Sequence, residues 1–265
     1  MRHVDARPVI CAFEASAPAR RAVEAAAWLA GALHAPLEVI HVFDAGAQAA
    51  LPGTGALVDP AVREEVRVRI DERTRARMRD TLRRVVAPLA STRVETRVLD
   101  GLVVPTLHDT AARRRAVVLV CGTAARAGFR HMLEGSVAGS LAANAPCPVV
   151  TVPAAAATAE PGPVLVGDDG SDHARRAMDH AAALADRLGR ELLRVAARGD
   201  DPAQELAATG RAHRACLIAT GTRGRGPIRA ELLGSVSSGL VRTARCPVML
   251  VPASAGEAAA AGVAP

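Results

Sequence analysis

The chain is predicted to be α/β: two tandem doubly wound parallel-sheet (Rossmann-like) domains, the second truncated. Three observations predict this. Short Val/Ile/Leu-rich runs alternate with stretches whose apolar residues recur at helical spacing. Residues 135–153 (GSVAGSLAANAPCPVVTVP) match residues 234–252 (GSVSSGLVRTARCPVMLVP) without a gap, at an offset of 234−135 = 99. Pro8–Glu14 (PVICAFE) matches Pro163–Asp169 (PVLVGDD) at an offset of 169−14 = 155. The second copy is therefore 155−99 = 56 residues shorter than the first.

The first copy, residues 1–153, opens with a strand over Pro8–Glu14. A helix over Ala17–His34 follows, with Ala22, Ala25, Ala26, Leu29 and Leu33 on one face. Leu37–Phe43 is the second strand. After a loop with Pro52, Gly53 and Gly55, a long helix spans Pro60–Leu89, its stripe built from Val62, Val66, Ile70, Met78, Leu82, Val85 and Leu89. A strand (Arg93–Leu99), a helix (Val103–Arg114), a strand (Val117–Cys121), a helix (Ser136–Ala143) and a strand (Pro148–Val152) complete it. The strands are apolar throughout, as strands buried on both faces are.

Pro153–Pro163 reads as a linker. The second copy, residues 163–253, repeats strand, helix (Asp172–Leu188), strand (Glu191–Ala196), helix (Pro202–His213), strand (Cys216–Thr220), helix (Ser235–Arg245) and strand (Pro247–Val251). It has four strands where the first has five. The long helix and the strand after it have no counterpart; that helix and the loop before it can wall a base pocket, so their loss is expected to weaken binding in the second copy. The apolar last strands should pair with one another, as an intramolecular pseudo-dimer, or with a second chain as a homodimer, because free edges of that composition invite aggregation. The Ala/Gly-rich tail Ala253–Pro265 is expected to be disordered.

Composition narrows the chemistry. The 265 residues carry 33 basic and 27 acidic side chains, a net +6, and every basic residue is Arg. Without Lys there is no Schiff-base lysine and no phosphate-loop lysine. Aromatics make up 2%, too few for base-stacking platforms, and charges of both signs are interspersed, so no nucleic-acid partner is expected. The acids between the arginines of Arg63–Arg84 point to a solvated helix face. No apolar run reaches membrane-span length, and MRHVDARPVICAFEAS lacks the apolar stretch of a signal peptide, which predicts a cytoplasmic protein without a membrane partner. The five cysteines contain no CxxC and the eight histidines form no HxxxH or His/Cys cluster, so buried thiols and no metal site are expected. No GxSxG elbow is present.

In such sheets ligands sit at the carboxyl ends of the strands, at the switch point. In the second copy one strand ends in Asp168-Asp169-Gly170-Ser171. The other runs through Ala219-Thr220 into Gly221-Thr222-Arg223-Gly224-Arg225-Gly226, and Gly234-Ser235 follows at a helix start. Glycines let backbone N–H groups close around an anion, and a helix N-terminus adds unsatisfied N–H groups and a positive dipole end. Ser235 is expected to cap that helix and donate to phosphate. Arg223 and Arg225 add charge-assisted bonds. Asp169 is placed to accept from a ribose hydroxyl. A glycine-rich loop by itself is equally well explained as a turn.

Together these features resemble the universal stress protein family, and the two copies resemble a tandem member over about residues 8–252. The matched features are Asp169-Gly170-Ser171, the Gly-x2-Gly-x9-Gly-Ser loop (Gly221, Gly224, Gly234, Ser235) and the Cys246-Pro247-Val248 strand. The resemblance implies a cytoplasmic regulatory protein of the stress response that binds adenine nucleotide, ATP with or without Mg2+, with no turnover. It places Asp169, Gly170 and Ser171 at the nucleoside and Val195 near the adenine. The segment from Gly221 through Arg223 and Gly224 to Gly234, Ser235 and Val236 would hold the phosphates. The first copy departs from the pattern: it has Glu14-Ala15-Ser16, and its loop keeps Gly122, Gly135 and Ser136 but has Ala125 for the second glycine. A weak or empty first site is expected. Two other readings stand beside this one, an interaction scaffold that binds no nucleotide and a slow ATPase.

Overall fold

Every predicted strand and helix forms, with ends displaced by at most three residues. In order they are β1 (Val9–Ala12), α1 (Ala17–Leu33), β2 (Leu37–Phe43), α2 (Pro60–Val86), β3 (Val94–Asp100), α3 (Val103–Arg114), β4 (Val118–Thr123), α4 (Val137–Asn144) and β5 (Val149–Pro153). The second half adds β6 (Val164–Gly167), α5 (Asp172–Leu188), β7 (Leu192–Val195), α6 (Pro202–Ala212), β8 (Leu217–Gly221), α7 (Ser235–Thr243) and β9 (Val248–Val251). The structure is a computed structural model. It describes residues 7–44, 60–89, 93–123, 137–153, 155–157, 159–196, 199–222 and 233–255, and of 60–71 the backbone alone. The loop with Pro52, Gly53 and Gly55, and the tail beyond Ala255, lie outside the described residues.

Local chemistry explains where the helices start and stop. Ser16 and Ser171 cap α1 and α5, each hydroxyl accepting from the backbone N–H three residues on. Pro18 enters the first turn of α1, where its missing N–H costs nothing. The same helices close on left-handed residues, His34 and Gly189.

The strands form one sheet in the order β3-β2-β1-β4-β5-β9-β8-β6-β7. Pairing within each half is parallel, and the repeat extends to register: Val9 faces Leu37 as Val164 faces Leu192. The halves meet where β5 and β9 pair antiparallel, Val149 with Leu250, Val150 with Met249 and Thr151 with Val248. Of the two arrangements predicted for the last strands, the pairing within one chain is the one present. Each is flanked on both sides, β5 by β4 and β9, β9 by β8 and β5, so their apolar edges are covered.

The sheet is sandwiched between two helix layers. One apolar layer joins α1, α2 and α5 to Val9, Cys11, Phe13 and Val39. The other joins α3, α4, α6 and α7 to Ile10, Ile40, Leu119 and Cys121. Both layers run through both halves. All five thiols are buried and unbridged, as the sequence predicts.

The missing 56 residues correspond to α2 and β3, which leaves β7 as a sheet edge. In the first half α2 packs on α1, β2 and β3, and Phe13 and Val39 are buried in its layer. Their counterparts at an offset of 155 are Asp168 and Arg194. These form an ion pair, with the Arg194 side chain 67% exposed. Where the covering helix is lost, the sequence has replaced two core apolar residues with a charge pair that tolerates water. The opposite exchange occurs on the other face. Glu38 of β2, 1% exposed, is held by Arg114 and approached by Arg97 at 3.6 Å, and its counterpart in β7 is Leu193.

Candidate functional site

The strand order reverses at two related switch points, one between β1 and β4, one between β6 and β8, the places where such sheets take ligands. The first contains a cleft of about 130 Å³, lined by the ends of β1, β2 and β4 and the starts of α3 and α4, with Glu14, Leu107 and Cys121 among its residues. Among the described residues α2 contributes nothing to this lining. The loop before α2, expected to wall the pocket together with that helix, lies outside the described residues; α2 itself packs on the opposite face of the sheet, and the described walls come from β2 and α3. The second half keeps both as β7 and α6.

The turns after β1 and β6 share one geometry despite different sequences. Gly170 holds φ +75° and Ala15 holds φ +65°. Asp169 accepts from Ser171 N–H at 2.9 Å, and Ser171 Oγ accepts from Ala174 N–H at 3.1 Å. Ser16 Oγ donates to Glu14 at 2.9 Å while accepting from Ala19 N–H at 3.2 Å. The strand-end acid and serine therefore build the turn and cap the next helix before any ligand arrives. Asp168 accepts from Gly170 N–H at 2.7 Å and pairs with Arg194. The Gly170 bond, reinforced by Arg194, holds its carboxyl below the usual carboxylate range. In the first cleft, burial and the Glu14 carboxylate push the Cys121 thiol up to about 12, which keeps it protonated near neutral pH.

Gly221 ends β8, and its first role is steric. A Cβ there would lie 2.7 Å from the carbonyl oxygen of His173 on α5, and one on Gly122 would lie 2.6 Å from the Pro18 carbonyl carbon on α1. Both glycines let a helix press onto the sheet, the packing role of a glycine in dinucleotide folds. Gly234, not Ser235, is the N-cap of α7. Ser235 occupies the first helical position and is exposed, and among the described residues no side chain caps the α7 N-terminus, the end of a helix that suits an anion. Val195 ends β7, beside the second switch point, where Ile40 lines the first cleft. Val236 is the second residue of α7, at the place where Val137 lines the first cleft.

Arg223, Gly224, Arg225 and Gly226, and Ala125, Gly135 and Ser136 in the first copy, lie outside the described residues. Asp169, Gly170 and Ser171 follow β6, Gly221 ends β8, and Gly234, Ser235 and Val236 stand at the start of α7, so the described members flank one switch point. Three participants carried no role in the sequence reading. Arg194 ties Asp168. Ser237 Oγ donates to Gly221 O at 2.8 Å. The Thr222 hydroxyl is buried and has no partner among the described residues. The repeat carried a signal for Ser237, since the 99-residue offset sets it opposite Ala138.

With this geometry in place, comparison with known proteins is decisive. The profile described as "Universal stress protein family" matches residues 6–153 and 189–252. The chain belongs to the universal stress protein family. A universal stress protein of Mycobacterium tuberculosis is 29% identical over 206 residues, covering 59% of this chain and 68% of its own. One from Mycolicibacterium smegmatis is 31% identical over 203 residues, with coverages of 60% and 68%. Among solved structures, a universal stress protein from Archaeoglobus fulgidus superposes with a TM-score of 0.69 at 16% identity, covering 94% of this chain and 99% of that one. A universal stress protein structure from Pseudomonas aeruginosa gives 0.57 at 14%, covering 97% and 96%. These likenesses establish the fold. Among the described residues no helix is long and apolar enough to cross a membrane.

Proposed function

We propose that this universal stress protein is a cytoplasmic stress-response regulator that binds adenine nucleotide, ATP in the first instance, without turning it over. One observation supports this above the others. In the second half the strand-end acid Asp169 and the N-terminus of α7 stand on opposite sides of one switch point. An acid suits ribose hydroxyls, and helix N–H groups with a glycine-rich approach suit phosphate. Asp169, Gly170 and Ser171 meet the sugar, and Val195 packs near the adenine. Gly221, Arg223, Gly224, Gly234, Ser235 and Val236 surround the phosphates, where Mg2+ can accompany them.

Without Lys, the charge on those phosphates is balanced by backbone N–H groups and Arg. Regulation without turnover would rest on a site that offers hydrogen bonds and a helix dipole. Titration calorimetry with ATP tests the reading. The protein binds, and Asp169→Ala weakens binding by at least about 10-fold, the loss of a hydrogen bond to a charged group. No heat at millimolar ATP favours the scaffold. Phosphate release abolished by altering Asp169 or Gly234 favours the ATPase.

A further inference from the structure

Two hydrogen bonds close the base of the segment between β8 and α7. Gly234 N–H donates to Thr222 O at 2.8 Å, and the Ser237 hydroxyl donates to Gly221 O at 2.8 Å. The start of α7 is thereby tied to two successive carbonyls at the end of β8. Thr222 is itself fixed, its N–H donating to Val251 O of β9 at 3.2 Å. The Ser237 bond is buried, so water does not compete for it; the Gly221 carbonyl also accepts from the Thr220 hydroxyl at 3.3 Å, but among the described residues the Ser237 bond alone reaches it from α7. The first half has Ala138 at the equivalent place, where no side-chain donor exists.

Resting on the proposed nucleotide site, we infer that Ser237 is a positioning residue for phosphate recognition in the second half. It touches no ligand. It holds the α7 N-terminus at a set distance from the end of β8, so that the N–H groups of its first turn are aimed before the phosphate arrives. Preorganised donors spare the ligand the cost of ordering them. The two halves therefore differ in this tie as well as in motif: the second has Ser237 and the first has Ala138.

The test compares affinities of the full chain for ATP and for adenosine, measured by calorimetry on wild type, Ser237→Ala and Ser237→Thr. Expected are a loss of ATP affinity of roughly 3- to 10-fold in S237A, the size of one hydrogen bond, adenosine affinity unchanged within about twofold, and recovery in S237T, which keeps the hydroxyl. A merely structural serine would weaken both ligands alike or neither, and either outcome overturns the inference while the nucleotide reading stands. Wild type that binds no ATP overturns both. If S237A fails to fold, S237T decides: it must bind ATP as wild type does, and a lower ATP affinity with unchanged adenosine affinity in a folded S237T rejects the hydroxyl as the cause.

Discussion

Ala15 and Gly170 hold the same left-handed backbone conformation, φ +65° and +75°, at equivalent turns of the two halves. The turn after the first strand is thus imposed by the fold, and the first half forms it with a residue that resists it. An L-residue in this region costs about 1–2 kcal/mol. Ala15→Gly is expected to raise stability by about 0.5–1 kcal/mol after glycine's own entropic cost, and Gly170→Ala to lower it by about 1 kcal/mol. Urea denaturation of both variants checks this, and equal effects of the same sign would refute it.

Asp168 gives a pH dependence. Its folded pKa lies below the ordinary value of 3.8 because of the Gly170 bond and Arg194. The contribution to stability is therefore full above about pH 4 and disappears as pH falls through the folded value. Thermal melts between pH 5 and 2 should show Asp168→Asn losing less stability on acidification than wild type.

Glu38 and its arginines should behave asymmetrically. Arg114→Ala leaves the buried carboxylate with Arg97 alone, at 3.6 Å, and is expected to cost about 2–3 kcal/mol. Glu38→Leu copies Leu193 of the second half and is expected to cost less than about 1 kcal/mol, since apolar replacement of a buried pair is often neutral. Denaturant midpoints of the two variants separate the cases, and a costlier Glu38→Leu would contradict them.

At Gly221 packing comes before ligand chemistry. A Cβ 2.7 Å from the His173 carbonyl oxygen must push α5 off the sheet. Gly221→Ala is expected to destabilise the protein by about 1–3 kcal/mol with no ligand present. A folded variant of unchanged stability would return Gly221 to a purely ligand-facing role.

Much of this was legible in the sequence because periodicity and repetition are local signals. Leu37–Phe43, Val103–Arg114 and Asp172–Leu188 form over those very residues. The pairing of the two last strands could be posed from their apolar composition, but the choice between one chain and two needed the register of Val150 against Met249. Relations between distant side chains were not legible. Nothing local tells that Arg194 answers Asp168, or that both replace Val39 and Phe13 because α2 is missing. Where the candidate site residues fall on described elements, some of their structural roles were not legible. Gly221 looks like a phosphate-loop glycine and also serves a helix contact, and Ser235 looks like a cap until Gly234 takes that position.

The central claim is that this chain holds adenine nucleotide at the carboxyl edge of its sheet. The most direct measurement is the absorbance and chromatography of what is released when purified protein is denatured, with Asp169→Ala purified alongside. Adenine nucleotide released from wild type and reduced in the variant is the predicted result. Wild type that releases none, and still binds none after incubation with millimolar ATP, would contradict the account.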